Sequence, residues 1–144
     1  MPYRGNVTQT VSFAKTTNVT YDITGTVVSA NDALGHSVWY TPEANTNQTR
    51  VGTITPNGDS GLATNFDYTS APWLGVSQTT GPNGATAAFT YDANTRTSTS
   101  TSPIGAMTTY EYSDDPAGPY KKATTNNKWV KTTMDGLGRT VKVE

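Results

Sequence analysis

The sequence predicts an all-β fold built from tandem antiparallel β-hairpins, and three observations support it. Threonine supplies 29 of the 144 residues, beside 13 Gly and 8 Pro. Threonine suits half-exposed pleated strands, whereas Gly and Pro mark turns. Aromatic residues recur two positions apart without a 3.6-residue apolar stripe, so essentially no helix is expected. The third observation is that turn sequences recur in step with these aromatic pairs.

The first element of each repeat is a strand that ends near an aromatic anchor. In Phe89-Thr90-Tyr91 and Tyr110-Glu111-Tyr112, alternation places the two aromatic side chains on one face of the strand. The predicted structural anchors are Tyr21, Tyr40, Tyr68, Tyr91, Tyr112 and Met134. They recur with a mean period of about 23 residues, which indicates about six repeats.

The second element is a turn after the anchor, and the third is a turn halfway to the next anchor. Asp22, Asp92 and Asp135 follow anchors and are expected to accept hydrogen bonds from turn N–H groups. Turns of the Pro-x-Gly kind stand between them, at 56–58, 82–84 and 103–105, with 32–35 as a relative. Two turns per repeat predict one pair of strands per repeat. The longest loop is predicted at 114–127.

These motifs resemble the YD repeat of the bacterial Rhs and wall-associated protein families and of teneurins. The resemblance is carried by Phe89-Thr90-Tyr91-Asp92, by the Pro-x-Gly turns and by Asp135-Gly136-Leu137-Gly138-Arg139. It implies a long β-ribbon that spirals into a hollow shell, enclosing a toxic domain in polymorphic toxins and serving adhesion in teneurins. Asp115-Pro116-Ala117-Gly118 matches the start of the family's autoproteolysis segment, but Pro119 stands where Leu is expected, so the match is interpreted as a turn.

The resemblance also sets the expected organisation and location. Residues 1–144 are expected to form a single array, and to be a fragment of a much longer protein that is secreted or exposed at the cell surface. Six repeats are too few for a closed shell, so the expected role is a curved ribbon or a piece of shell wall. The expected partners are the other repeats of that protein, and exposed sheet edges favour self-association.

Composition argues against several classes of function. The net charge is −1, from 10 basic and 11 acidic residues without a cluster, so nucleic-acid binding is not expected. There is no Cys, so thiolate chemistry is excluded. The sequence also has no apolar run that is long enough for membrane insertion. No signal peptide is recognisable in this chain. We expect no cofactor.

No set of residues suggests catalysis or a metal site. His36 is the only histidine, and it follows Gly35 in a predicted turn, so an exposed turn histidine is expected. Asp114 and Asp115 are the only adjacent acidic pair, and neighbours in an extended chain point to opposite sides. The sequence therefore predicts a non-enzymatic protein.

Three tryptophans leave an alternative open. Trp39 and Trp129 lie at odd offsets from Tyr40 and Met134, so alternation sends them to the threonine-rich face opposite the anchors. Exposed there, they would suit a carbohydrate-binding or adhesive module. A bulge or a shifted register would instead return them to the anchor face. Trp73 lies in a predicted turn and fits either reading.

Overall fold

The structure, a computed structural model, describes residues 6–13, 15–69 and 73–144. Within these ranges the regular structure consists of antiparallel strands, with two short 3₁₀ helices at Ala44–Thr46 and Ser60–Leu62. The predicted all-β fold of tandem hairpins is therefore confirmed. The chain divides into two compact units, Met1–Ala85 and Thr86–Glu144. That one array spans both units stays a prediction.

Unit 1 contains the first seven strands. They are β1 (Gln9–Ser12), β2 (Lys15–Tyr21), β3 (Val27–Asn31), β4 (Ser37–Pro42), β5 (Val51–Pro56), β6 (Thr64–Tyr68) and β7 (Val76–Thr80). Each strand pairs antiparallel with the next one along the chain. Unit 1 is thus an open meander.

Unit 2 contains the other six strands. They are β8 (Thr86–Tyr91), β9 (Thr97–Thr101), β10 (Met107–Ser113), β11 (Tyr120–Thr125), β12 (Lys128–Met134) and β13 (Thr140–Val143). Consecutive strands again pair antiparallel. Connections between consecutive antiparallel strands alternate between the two ends of the strands. The 92–96, 114–119 and 135–139 connections therefore lie at the same end, and we call this row of turns the Tyr–Asp edge of unit 2.

Each predicted anchor lies at or near the end of the first strand of a hairpin. These first strands are β2, β4, β6, β8, β10 and β12. At four anchors the strand register shifts, which places a β-bulge beside the turn: Tyr21, Tyr68, Tyr91 and Met134. At Tyr21, Tyr91 and Met134 the bulge adjoins a short turn with a left-handed residue, a combination that gives the flanking strands their twist.

The left-handed residue of these turns is usually glycine. In the 135–139 turn it is Gly138, with φ at 77°, and in the 22–26 turn it is Gly25, with φ at 89°. The 92–96 turn has Thr95 at this position, with φ at 65°. A β-branched residue with positive φ is strained, whereas glycine adopts this conformation freely.

Thr95→Gly is therefore expected to stabilise the protein, raising the free energy of unfolding by about 1 kcal/mol. Urea denaturation monitored by circular dichroism measures the change. The reverse substitution at the equivalent position, Gly138→Thr, is the matched control and is expected to destabilise by about the same amount. An equal or lower stability of the Thr95→Gly chain would contradict this account of the turn.

One prediction about secondary structure is wrong. The segment 114–127 is not a loop, because β11 occupies Tyr120–Thr125 and pairs with both β10 and β12. Strand β11 is turned back by Asn126 and Asn127, whose φ angles of 48° and 63° are those of a two-residue hairpin turn. The strand has few apolar residues to mark it, and the Asn126-Asn127 pair carries no Gly or Pro to signal its turn.

Burial of side chains is low among the described residues. None of its hydrophobic side chains is fully buried, and the one buried polar side chain is Thr46. In unit 2 the strands still divide their residues between two faces. Tyr110 pairs across with Ala123, and Ala123 with Val130, on the face that also holds Tyr112. Stability must therefore come from ladder hydrogen bonds and half-buried cross-strand pairs.

Candidate functional site

The turns at 22–26, 92–96 and 135–139, each of which follows an anchor, share one pattern of hydrogen bonds. In the 22–26 turn the Asp22 Oδ1 atom accepts from the N–H groups of Thr24 and Thr26, at 2.8 and 2.9 Å. The same carboxylate accepts from the Thr24 hydroxyl, and these bonds lower the pKa of Asp22, the hydroxyl bond most strongly. The carboxylate thus satisfies donors that the turn leaves unpaired.

The second carboxylate oxygen is used when a suitable side chain stands four residues on. Asp92 Oδ2 accepts from the Arg96 guanidinium at 2.9 Å, and Asp135 Oδ2 accepts from Arg139 at 2.7 Å. Asp22 has Thr26 at that position, and its Oδ2 atom is buried without a hydrogen-bond partner among the described residues.

The pKa values of the two arginine-paired carboxylates are lowered. At Asp92, partial burial acts in the raising direction but is outweighed by hydrogen bonds from the Arg96 backbone and side chain, so the pKa falls. At Asp135, the Arg139 backbone N–H and then its side chain lower the pKa. Both carboxylates are therefore held ionised. A structural cap needs the ionised form, whereas a general acid near neutral pH must be protonated.

Three tyrosine anchors, Tyr21, Tyr68 and Tyr112, donate hydrogen bonds from their hydroxyl groups to backbone carbonyls earlier in the chain. Tyr68 donates to the backbone carbonyl of Val51 at 2.8 Å, and Tyr112 donates to that of Thr97 at 2.9 Å. Val51 and Thr97 are the first residues of β5 and β9. Tyr21 makes a corresponding bond to Val7. The anchor ring is therefore also a polar tie between consecutive repeats, a role that the apolar pattern alone did not predict.

Arg96 links two connections of the Tyr–Asp edge. Its guanidinium donates to both carboxylate oxygens of Asp114, at 2.7 and 2.8 Å, while remaining bonded to Asp92. The same group lies 4.5 Å from the centre of the Tyr112 ring. A planar guanidinium can serve two carboxylates and stack on an aromatic face at once. We call Arg96, Asp92, Asp114 and Tyr112 the arginine clasp.

Asp114 and Asp115 have separate structural roles. Asp114 binds Arg96, whereas Asp115 Oδ1 accepts from the N–H group of Ala117 within its own turn. The Asp115 carbonyl also accepts from the Gly118 N–H group at 3.0 Å. The Asp-Pro-x-Gly sequence is therefore a hydrogen-bonded turn in this structure, and the carboxylates of Asp114 and Asp115 bind different partners.

His36 is an exposed turn residue, as predicted. Its Nδ1 atom lies 2.9 Å from Asp32 Oδ2, and its side chain is 66% exposed. This contact is the main cause that lowers the pKa of Asp32. The pair occupies the position that Arg96 and Asp92 occupy in their turn, and no nucleophile contacts the ring in the described hydrogen bonds.

Trp39 and Trp129 lie on the faces opposite the anchors Tyr40 and Met134 of their strands. Trp39 is 52% exposed and Trp129 is 50% exposed. Beside Trp129, the Lys122 ammonium lies 5.9 Å from the centre of the indole ring. Trp73 differs from both, because its ring lies directly over the α-carbon of Gly75 and leaves no room for a side chain there.

Two shallow depressions lie in the described surface. One, of about 420 Å³, lies at the 126–127 turn and is lined by Ala123, Thr125, Asn126, Lys128, Trp129 and Val130. Another, of about 270 Å³, is lined in unit 1 by Glu43, Asn45, Thr46, Asp67, Tyr68 and Thr69.

The described part of the chain holds no group of three or more His, Asp or Glu side chains that could bind a metal ion. In that part, no helix is long and apolar enough to cross a membrane. Neither a protein-family model nor a curated protein matches this chain.

Proposed function

We propose that this chain is a non-enzymatic structural β-repeat module. The observation that carries the proposal is a hydrogen bond between consecutive hairpins. Tyr68 and Tyr112 each donate to the carbonyl of the first residue in the second strand of the preceding hairpin. Such a bond contributes nothing to an isolated hairpin. It stabilises a hairpin only when the previous repeat is in place, as in repeat arrays held by nearest-neighbour contacts.

The wider role follows from the same repeat. The module contributes to the wall of a secreted or surface-exposed YD-repeat shell that encapsulates a toxin or mediates surface contact. The recurring Tyr–Asp turns support this proposal, because their carboxylates bind groups of the turn itself and, at Arg96, the turn also binds the adjacent connection. In the arginine clasp, both carboxylates bind the same arginine, Arg96.

Deletion of residues 92–112, which joins Tyr91 directly to Ser113, tests the proposal. A repeat array is expected to fold without this segment, because Tyr91 then takes the place of Tyr112 and β8 pairs with β11. A protein with one indivisible site or core would not fold after losing two central strands. Circular dichroism and urea denaturation separate the two outcomes.

A second candidate function is a carbohydrate-binding or adhesive module, favoured by the half-exposed rings of Trp39 and Trp129. A flat exposed indole beside a polar strand surface can stack on a sugar ring. A glycan array with tryptophan fluorescence quenching tests it. For this candidate we expect binding that is lost in the Trp129→Ala or Trp39→Ala chain and kept in the Trp73→Phe chain. No binding by the intact chain would exclude it.

A further inference from the structure

Two turns on the Tyr–Asp edge of unit 2 have the same construction. In the 92–96 turn the Asp92 N–H group donates to the Arg96 carbonyl at 2.8 Å, and in the 135–139 turn Asp135 donates to Arg139 at 2.9 Å. In both, the arginine Nε atom donates to Oδ2 of the aspartate. Each turn leads into a strand that begins with threonine, Thr97 in β9 and Thr140 in β13.

The two arginines differ in what lies beyond them. Arg96 also binds Asp114 of the neighbouring connection and stacks on Tyr112, and its side chain is only 29% exposed. The Arg139 side chain is 74% exposed, and its described ion pair is with Asp135. One side of the Arg139 guanidinium therefore faces solvent where Arg96 holds a second carboxylate.

Strand β13 matches β9 at the backbone level as well. β9 pairs with β8 on one side and β10 on the other, and its Thr97 carbonyl accepts the Tyr112 hydroxyl. β13 pairs with β12 in the described structure, and all four of its residues are exposed. Such an edge can accept an added strand through main-chain hydrogen bonds.

We propose that the outer edge of β13 is a docking site for an antiparallel β-strand in which a tyrosine is followed two residues later by an acidic residue. The tyrosine hydroxyl donates to the Thr140 carbonyl, and the carboxylate binds Arg139. The inference deepens the proposed function and rests on its repeat arrangement. Charge complementarity selects this occupant, since a carboxylate can bind the solvent-facing nitrogen of the Arg139 guanidinium while the Nε atom stays on Asp135.

A second copy of this chain fits the site less well. Its N-terminal strand β1 has the sequence Gln-Thr-Val-Ser and supplies neither a tyrosine nor an acid. Within the chain, the sequence Tyr112-Ser113-Asp114 at the end of β10 does have the required spacing. A peptide with the sequence of residues 105–115 is therefore a suitable probe.

The experiment titrates this labelled peptide into the intact chain and follows fluorescence anisotropy, with amide hydrogen exchange by NMR to locate the site. We expect saturable binding and slowed exchange in residues 140–143. Arg139→Ala is expected to weaken binding about tenfold, because it removes a charge-assisted hydrogen bond to the peptide carboxylate. Lys128→Ala, which removes an exposed charge from neighbouring β12, is the matched control and is expected to bind normally.

A charge exchange tests the same contact in the other direction. A peptide with Asp114→Arg is expected to fail with the native chain and to regain binding to an Arg139→Asp chain. Equal binding by Arg139→Ala, slowed exchange at β1 instead of β13, or occupation of β13 by a second copy without peptide would overturn the proposal. If the peptide does not bind while the chain lacking residues 92–112 still folds, this inference fails and the proposed function stands.

Discussion

Tyr112→Ala is expected to lower the free energy of unfolding by about 2 to 3 kcal/mol, a typical loss for a large ring that is partly covered. The ring is half-buried, its hydroxyl is bonded to the Thr97 carbonyl, and the Arg96 guanidinium lies on its face. Alanine removes all three interactions at once. Urea denaturation monitored by circular dichroism measures the loss, and the midpoint should fall without a change in the slope.

Tyr112→Phe is the matched control for this substitution. It keeps the ring and its contact with Arg96 but removes the bond to Thr97, so a loss of about 1 kcal/mol is expected. An Ala variant as stable as the native protein would show that the anchors are not structural. A Phe variant as stable as the native protein would show that the tie between hairpins contributes nothing.

Much of the fold could be predicted because its local signals are strong. Turn sequences such as Asp135-Gly136-Leu137-Gly138 specify backbone conformation within a few residues, and the aromatic pairs fix the alternation of each strand. Both signals are short-range, so they survive in a single sequence. A meander also places sequence neighbours side by side, which leaves few topologies to choose between.

β11 was missed for a physical reason. Its sequence, Tyr-Lys-Lys-Ala-Thr-Thr, has few apolar residues because a single-layer sheet buries little on either face. Lys121 and Lys131 are nevertheless favourable in these strands, since their ammonium groups lie 4.7 and 4.3 Å from the ring centres of Tyr110 and Tyr120. Long cationic side chains can thus cover aromatic surface that apolar residues would cover in a thicker protein.

The arginine clasp was also beyond the sequence analysis. Arg96 and Asp114 are eighteen positions apart, and only the pairing of β9 with β10 brings their ends together. The pattern alone showed that Arg96 and Arg139 follow turns, without indicating a second carboxylate. Once the register of β9 and β10 is known, however, Tyr112 and Asp114 can be recognised as the ring and carboxylate that bind Arg96. The low hydrophobic content of 33% is consistent with a sheet held by such polar contacts.

The central claim is that the hairpin repeat is the structural unit of this chain, and two deletions test it most directly. Removal of residues 92–112 takes out β9 and β10, one whole repeat, and leaves every remaining strand running in its native direction. Removal of residues 102–113 takes out β10 and the turn before it. In the chain with this shorter deletion, β11 must run opposite to its native direction. The 135–139 turn would then lie at the opposite end of the strands.

The measurement is urea denaturation of both deletion chains beside the native chain. We predict that the chain lacking 92–112 unfolds cooperatively, with a slope reduced by about one seventh, the fraction of the chain removed. We predict that the chain lacking 102–113 has lost the transition of unit 2, although it retains more residues. Equal stability of the two deletion chains, or failure of the whole-repeat deletion to fold, would contradict the account.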